Sequence, residues 1–269
     1  MRTKIIADIG SNHMGDMELA RKMIKSAAEA GVGTVKFQSW QARKLRKDFP
    51  DYESHYRRHM KTELSDDNHR QLIQWCKEFK VEFLTTCFDL DRVEFLASLG
   101  LKTIKVASSD CTSFTLLKKL MEHFEHLIVS IGMSTDEEVK QMIHFLRNHK
   151  VTVLHCVSIY PTPLGLVNLE RMNWIRSLGV LAGFSDHSLG TEAGKLAISM
   201  GAEILEKHLT LDRNLPGKDQ PMSTLPEEFK ELVEFAKLAE KLKGTAHPEL
   251  SSIQKEMREV YIGKWGGNR

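Results

Sequence analysis

Strand-like and helix-like segments alternate eight times along this chain of 269 residues. The strand-like segments are short apolar runs, whereas the segments between them carry apolar residues at intervals of three and four. Eight such units favour a closed (β/α)8 TIM barrel of the α/β class. The alternative, an open doubly wound sheet, is less favoured because no glycine-rich dinucleotide fingerprint is present. The predicted strands are KIIADIG, TVKFQS, VEFLTTC, TIKVAS, HLIVSIG, VTVLHCV, VLAGFSD and EILEKHL.

The length of the chain suits one barrel, because such folds typically take about 250 residues as a single domain. We predict a barrel over residues 1–244 and a short C-terminal tail with one helix over residues 245–269. No run approaches the roughly 18 apolar residues of a membrane span, and the N-terminus enters a strand instead of resembling a signal peptide. A cytoplasmic location is therefore expected.

Charge and cysteine content argue against several classes of function. The 38 Lys and Arg residues nearly balance the 36 Asp and Glu residues, which leaves a net charge of +2. Neither nucleic acid nor a membrane surface is therefore expected as a partner. The four cysteines form no CxxC pair, so the sequence supports neither a zinc ribbon nor a redox pair.

Polar residues gather at the predicted strand ends, which meet at the catalytic mouth of a parallel barrel. His187 and His208 end the last two strands and suggest a metal site. Lysines and hydroxyls at the other strand ends suit a phosphate plus a carboxylate, because charge-assisted hydrogen bonds to anions are strong. Each residue alone has an ordinary structural explanation, and it is their joint placement that favours function. The other residues at these ends include Asp8, Asn12, His13, Lys36, Gln38, Thr85, Thr86, Lys105, Ser108, Asp110, Ser130, His155, Ser158 and Tyr160.

One segment, from Trp40 to Leu64, is far longer than the usual connection of about 2–6 residues between a strand and its helix. It carries several arginines and lysines among aromatic residues. Two interpretations remain open. The segment is either a solvated charged excursion or a lid that closes over an anionic substrate.

Eight segments resemble, in order, the motifs of the sialic acid synthase family. The resemblance extends from about Lys4 to about Leu242, and the spacing agrees, with 21 residues from His187 to His208 and 11 more to Asp219. It implies condensation of phosphoenolpyruvate (PEP) with an N-acyl hexosamine, typically N-acetylmannosamine, to give a nonulosonic acid. The segments are IADIGSNHMGD, TVKFQSW, FLTTCFD, IKVASSD, SIGMST, LHCVSIYPTP, GFSDHSLG and ILEKHLTLDRNLPGKDQPMS.

The resemblance also implies roles for single residues. His187 and His208 would bind a divalent metal, Mn²⁺ in the family, and Gln38 and Tyr160 would face the sugar. The candidate catalytic carboxylates are Asp8, Asp110 and Asp219. For Ser158 and Tyr160, a rigid turn in YPTP remains the alternative to substrate binding. The residues expected to bind PEP are Lys36, Thr86, Lys105, Ser108, Ser130 and Ser185, with Ser158 as a further substrate-binding candidate.

The sequence departs from the family at three places. Asp8 and Asp110 stand where many members have glutamate, and Ser158 stands where asparagine is frequent. Typical members continue into a C-terminal antifreeze-like domain that contributes an arginine to a partner's sugar site, whereas this sequence ends at Arg269. Arg57 or Arg58 of the segment after Trp40, or a separate antifreeze-like chain, would then complete the site. A homodimer also remains open.

The sequence thus predicts a metal-dependent synthase that condenses PEP with an aldose, with an N-acyl hexosamine as the leading acceptor. Two alternatives remain open. A metal-dependent pyruvate aldolase would not need a phosphate-binding site, and a non-catalytic binding protein would keep the barrel mouth without turnover.

Overall fold

A computed structural model of the chain describes residues 3–245 and 249–266. Its strands form a closed barrel in sequence order, and every neighbouring pair is parallel, including β1 with β8. The predicted barrel is confirmed. The strands are β1 (Lys4–Gly10), β2 (Thr34–Ser39), β3 (Glu82–Cys87), β4 (Thr103–Val106), β5 (His126–Ser130), β6 (Lys150–Cys156), β7 (Leu181–Asp186) and β8 (Ile204–His208).

Most of the helices connect the strands and cover the outside of the barrel. Side-chain caps fix several of their first turns, for example where Asp16 accepts hydrogen bonds from the backbone N–H groups of Glu18 and Leu19. The helices are α1 (Met17–Glu29), α2 (Tyr52–Thr62), α3 (Asp66–Glu78), α4 (Val93–Ser98), α5 (Phe114–His123), α6 (Asp136–Phe145), α7 (Arg171–Ser177), α8 (Glu192–Ser199), α9 (Pro226–Lys243) and α10 (Ser252–Tyr261).

The last barrel helix is α9, and α10 follows in the region predicted as a tail. The predicted domain limits also include residues 1–2, 246–248 and 267–269, which lie outside the described residues. Among the residues that the structure describes, no helix is long and apolar enough to cross a membrane.

The barrel interior is divided into an apolar layer and a polar layer above it. Successive side chains of a strand point to opposite faces, so residues two apart share a face. Ile6 of β1 belongs to the apolar layer, and Asp8, two residues later, lies above it; Ile204 and Glu206 of β8 repeat this arrangement. The strand sequences thereby close the barrel below and open a polar cavity above. The buried apolar layer consists of Ile6, Leu84, Ile128, Leu154 and Ile204.

Candidate active site

Two adjoining cavities occupy the C-terminal mouth of the barrel. The inner cavity, of about 260 Å³, lies above the apolar layer, and the outer cavity, of about 440 Å³, lies beneath the segment that follows β2. Four residues line both cavities, so a molecule in one can meet a molecule in the other at this junction. The shared residues are Gln38, Phe88, Tyr160 and His208.

Two buried lysines form the cationic floor of the inner cavity, and Lys36 is the first of them. Its Nζ donates hydrogen bonds to Asp8 Oδ2 at 2.7 Å and to Thr86 Oγ1 at 3.2 Å. Burial alone would lower the pKa of Lys36, but the charges of Asp8 and Glu206 outweigh burial, so the pKa is raised. Lys36 therefore stays an ammonium ion at neutral pH.

Lys105 is the second lysine and is bound differently. Its Nζ donates to Ser130 Oγ at 2.7 Å and lies 3.7 Å from Glu206 Oε1. Burial lowers its pKa, and the Glu206 charge only partly opposes that effect. Because Lys105 lacks a carboxylate as close as the one beside Lys36, an incoming anion would gain most from this ammonium group.

Glu206 connects the two lysines and was not among the residues predicted from the sequence. Its Oε1 accepts a hydrogen bond from Ser185 Oγ at 3.0 Å, and its Oε2 lies 4.0 Å from Lys36 Nζ. Burial opposes ionisation of this carboxyl, but Lys105 and Lys36 together lower its pKa. Strand periodicity could have revealed it, because Glu206 shares the inward face of β8 with His208.

The two candidate metal histidines lie side by side, with ring centroids 5.8 Å apart. His187 Nδ1 donates to the Val157 carbonyl oxygen at 3.0 Å, which leaves its Nε2 lone pair free to bind. Burial and His208 lower the pKa of His187 to about 4, so the imidazole is neutral at neutral pH. His208 Nδ1 lies 3.6 Å from Asp8 Oδ2 and is buried with no hydrogen-bond partner among the described residues.

These donors fit a metal site that has two protein ligands. Neutral imidazole is a common ligand of divalent transition metals. In addition, Nδ1 of His208 is a buried polar atom without a hydrogen-bond partner in the described residues, and such atoms normally have a partner. Within residues 3–245 and 249–266, no set of three His, Cys, Asp or Glu side chains is arranged to hold a metal ion. Water and substrate oxygens would therefore have to supply the remaining ligands.

The segment after Trp40 forms the roof of the outer cavity, and part of it is helical. Trp40 Nε1 donates to the His59 carbonyl oxygen of α2 at 3.3 Å, and the Ala42 backbone N–H donates to Glu63 Oε2 at 2.7 Å. The Trp40 ring also packs edge-on against Phe88, with centroids 5.7 Å apart. These contacts hold the segment over the mouth.

The two arginines predicted for this segment point in different directions. Arg58 lines the outer cavity and donates to His55 Nδ1 at 2.7 Å, whereas Arg57 is exposed and, within the described chain, is not part of the cavity lining. Arg58 is therefore the arginine placed to meet a bound acceptor.

The structure brings nearly all of the predicted site residues together. Ser108 and Ser158 approach to 3.2 Å between their hydroxyl oxygens, and Asp219 lines the outer cavity within 3.4 Å of Ser11 Oγ. Apart from the four shared residues, Asp219 and Arg58, the predicted site residues in the cavity linings belong to the inner cavity. They are Asp8, Lys36, Thr86, Lys105, Ser108, Ser130, Ser158, Ser185 and His187.

Asp110 is the exception, because it lines neither cavity in the described part of the chain. Its carboxylate instead accepts a hydrogen bond from Ser109 Oγ at 2.7 Å, and burial raises its pKa. Four polar residues expected at the mouth, Asn12, His13, Thr85 and His155, also line neither cavity in this part of the chain. Asn12 Nδ2 donates to the Leu209 carbonyl oxygen, and buried His13 lies near the Phe37 ring.

Comparisons with known proteins show the family of this chain. The sequence pattern of the NeuB family matches residues 23–248. The N,N'-diacetyllegionaminic acid synthase of Campylobacter jejuni is 34% identical, over 95% of this chain and 81% of that protein. The human N-acetylneuraminate-9-phosphate synthase is 31% identical, over 97% of this chain and 76% of that protein.

A solved structure shows the same fold. The crystal structure of N-acetylneuraminic acid synthetase from Leptospira borgpetersenii, in complex with citrate, superposes with a TM-score of 0.92 and is 29% identical. The superposition covers 99% of this chain and 94% of that chain. The chain therefore belongs to the NeuB family of sugar-acid synthases, the enzymes that include the sialic and legionaminic acid synthases named above.

Proposed function

We propose that the chain catalyses the metal-dependent condensation of PEP with an aldose acceptor to give a 3-deoxy-2-keto sugar acid and phosphate. An N-acyl hexosamine such as N-acetylmannosamine is the leading acceptor. The observation that carries this proposal is the pair of adjoining cavities, one with two buried ammonium groups and one without them, that meet at His208.

The inner cavity suits PEP by charge and by hydrogen bonding. PEP carries a phosphate and a carboxylate, and Lys36 and Lys105 each offer an ammonium group, near different oxygens of Glu206. Hydroxyl donors surround these lysines, including Thr86 and Ser130. Charge-assisted hydrogen bonds inside such a buried site are stronger than the same bonds in water.

The outer cavity suits a sugar. Trp40 and Phe88 provide apolar surface, while Gln38, Arg58 and Asp219 provide hydrogen-bonding groups of different charge. Large pockets with a few placed polar groups are typical of small-molecule sites. An acceptor bound here would direct its aldehyde carbon toward the junction of the cavities, where C3 of PEP can reach it.

His187 and His208 would hold the divalent metal, for which the family resemblance suggests Mn²⁺. When bound, the metal would polarise the aldehyde carbonyl of the acceptor. His187 is ready for this role because its hydrogen bond to Val157 fixes the proton on Nδ1.

The remaining steps involve PEP, water and residues of the inner cavity. The C2–C3 π electrons of PEP form a bond to the aldehyde carbon, the carbonyl π electrons move to the aldehyde oxygen, and C2 becomes electron-poor. The aldehyde oxygen takes up a proton and becomes a hydroxyl group. Water then adds to C2, the bond from C2 to the phosphate oxygen breaks, and phosphate leaves with the electron pair as the C2 hydroxyl loses its proton to give the ketone. The two protons of the added water thus end on the new hydroxyl group and on the phosphate. Asp8 is assigned to accept the proton of that water, because its Oδ1 is buried without a hydrogen-bond partner in the described residues. Lys36 and Lys105 stabilise the leaving phosphate.

The direct test is release of phosphate from PEP in the presence of Mn²⁺ and a panel of N-acyl and deoxy hexosamines. Release that requires both the metal and an aldehyde sugar is expected. Turnover with pyruvate in place of PEP would instead indicate an aldolase, and PEP binding without turnover on any sugar would indicate a binding protein. Either result would contradict the proposal.

A further inference from the structure

Two buried charged residues directly precede the two candidate metal histidines. Asp186 precedes His187 at the end of β7, and Lys207 precedes His208 at the end of β8. The two residues are register partners on neighbouring strands, and Lys207 Nζ lies 2.7 Å from Asp186 Oδ2. The side chain of Lys207 is only 1% exposed, and that of Asp186 is 0% exposed. The two histidine-bearing strand ends are thus joined by an ion pair.

Further hydrogen bonds extend this pair around His187. The other oxygen of Asp186, Oδ1, accepts hydrogen bonds from the backbone N–H of Ser188 at 2.8 Å and from its hydroxyl at 2.7 Å. Lys207 Nζ also donates to the Ser188 carbonyl oxygen at 2.9 Å. Asp186 and Lys207 therefore both bind Ser188, the residue that follows His187, and so restrict the backbone on both sides of His187.

The position of the pair separates it from the substrate-facing lysines. Ser185 and Glu206 meet inside the barrel, so the adjacent Asp186 and Lys207 lie on the opposite faces of their strands. In the described chain neither residue lines the inner or the outer cavity, whereas Lys36 and Lys105 line the inner one. Any effect of this pair on the reaction must therefore act through the residues that it holds.

We propose that Asp186 and Lys207 are positioning residues that fix the orientation of His187 and its separation from His208 for metal binding. This inference rests on the proposed function for its purpose. A buried ion pair is weak evidence for stability, because apolar side chains of similar volume often replace such a pair without loss of stability. Partners that orient metal-binding histidines, in contrast, are typically worth a factor of about 10–100 in metal affinity.

The test uses the full chain with Lys207→Met, Asp186→Asn and the double variant Asp186→Leu/Lys207→Met. The double variant leaves no unpaired buried charge and keeps the test valid if a single variant does not fold. Lys207→Arg retains the charge. Arg171→Met, which removes an ion pair of 2.7 Å with Asp136 on the barrel exterior, is the control for loss of a bridge.

The first readout is the tautomer of His187 in metal-free protein, measured by nitrogen-15 imidazole NMR. The parent should show one neutral form with hydrogen on Nδ1, as the contact with Val157 requires. Lys207→Met, Asp186→Asn and the double variant should show a second form. The controls Lys207→Arg and Arg171→Met should resemble the parent. Parental spectra in the variants that lack the pair would overturn the proposal, whatever their thermal stability.

The second readout is the dissociation constant for Mn²⁺, measured from the electron paramagnetic resonance signal of the free ion. Loss of the pair should raise it at least about tenfold, and Arg171→Met should leave it unchanged. An unchanged constant in the double variant would overturn the proposal. Because neither readout needs PEP or a sugar, a parent that releases no phosphate would contradict the proposed function and leave this test intact.

Discussion

Lys105 is the residue whose removal should affect PEP binding most selectively. Lys105→Met removes a buried ammonium group that donates to Ser130. A hydrogen bond to a charged group contributes about 1.5–3 kcal/mol, so the KM for PEP should rise by about 10- to 150-fold. Steady-state kinetics at saturating sugar will measure this increase.

Lys102→Met is the matched control, because Lys102 is 74% exposed and bridges to Glu125 outside the cavities. Its KM for PEP should equal that of the parent. Equal KM values for the Lys105 and Lys102 variants would contradict the assignment of the inner cavity to PEP.

Replacement of Asp8 should lower kcat far more than replacement of Asp110, although the sequence predicts a catalytic role for both. Asp8→Asn removes the carboxylate that contacts Lys36 and lies beside His208, and it should lower kcat by about 10²- to 10⁴-fold, the range for loss of a general base. Asp110→Asn should cause a much smaller loss, because this carboxylate contacts Ser109 and not the cavities. A comparable loss of kcat in both variants would contradict the site geometry.

The contrast shows what could be predicted from single residues. The mouth position of four residues could be predicted from the sequence, because the C-terminal ends of parallel barrel strands all lie at the same face. These residues are His187, His208, Lys36 and Lys105. Asp110 differs because it lies in a short 3₁₀ turn, Ser108–Asp110, after β4, and the turn decides where its carboxylate points. Local turn geometry of this kind is not encoded in the alternation of apolar and polar residues.

At the scale of elements, α2 provides the clearest test. Arg58→Ala should raise the KM for the sugar and leave the KM for PEP unchanged, because Arg58 belongs to the lining of the outer cavity and not to that of the inner cavity in the described residues. Arg57→Ala, one residue away but exposed, should behave as the parent. Kinetics of the two variants at saturating PEP will show whether α2 acts as a lid. Identical sugar KM values would instead favour a role for α2 outside the site.

The element boundaries also show where sequence reasoning ends. The predicted strands KIIADIG and TVKFQS agree residue for residue with β1 and β2. The segment after Trp40 was predicted only as a long connection, because the polar composition of α2 hides a helix. Its place over the mouth depends on contacts such as that of Trp40 with Phe88, which lies beyond the segment after the next strand.

At the scale of the whole molecule, buried neutral histidines should make the fold sensitive to acid. Burial lowers the pKa values of His13, His69 and His187 from 6.5 to about 4. In the unfolded chain they take up protons below about pH 6.5, whereas in the folded chain they stay neutral until about pH 4. The free energy of unfolding should therefore fall between pH 6.5 and pH 4, by about 1.4 kcal/mol per pH unit for each histidine.

Urea unfolding at intervals between pH 7 and pH 4 will measure this slope. His69→Gln should reduce this slope by the contribution of one histidine, because His69 lies on α3, where its ring packs edge-on against Phe95 away from the cavities. A free energy of unfolding that stays constant over this range would contradict the burial of these imidazoles in neutral form.

The central claim is that PEP in the inner cavity condenses with an aldehyde at the junction of the two cavities and loses phosphate by cleavage of its C2–O bond. The most direct measurement uses PEP that carries oxygen-18 in the bridging position, with Mn²⁺ and an accepted sugar. Phosphorus-31 NMR should show the label in the released phosphate, and mass spectrometry should show none of it in the keto acid. Label retained in the keto acid would mean attack at phosphorus and would contradict the account.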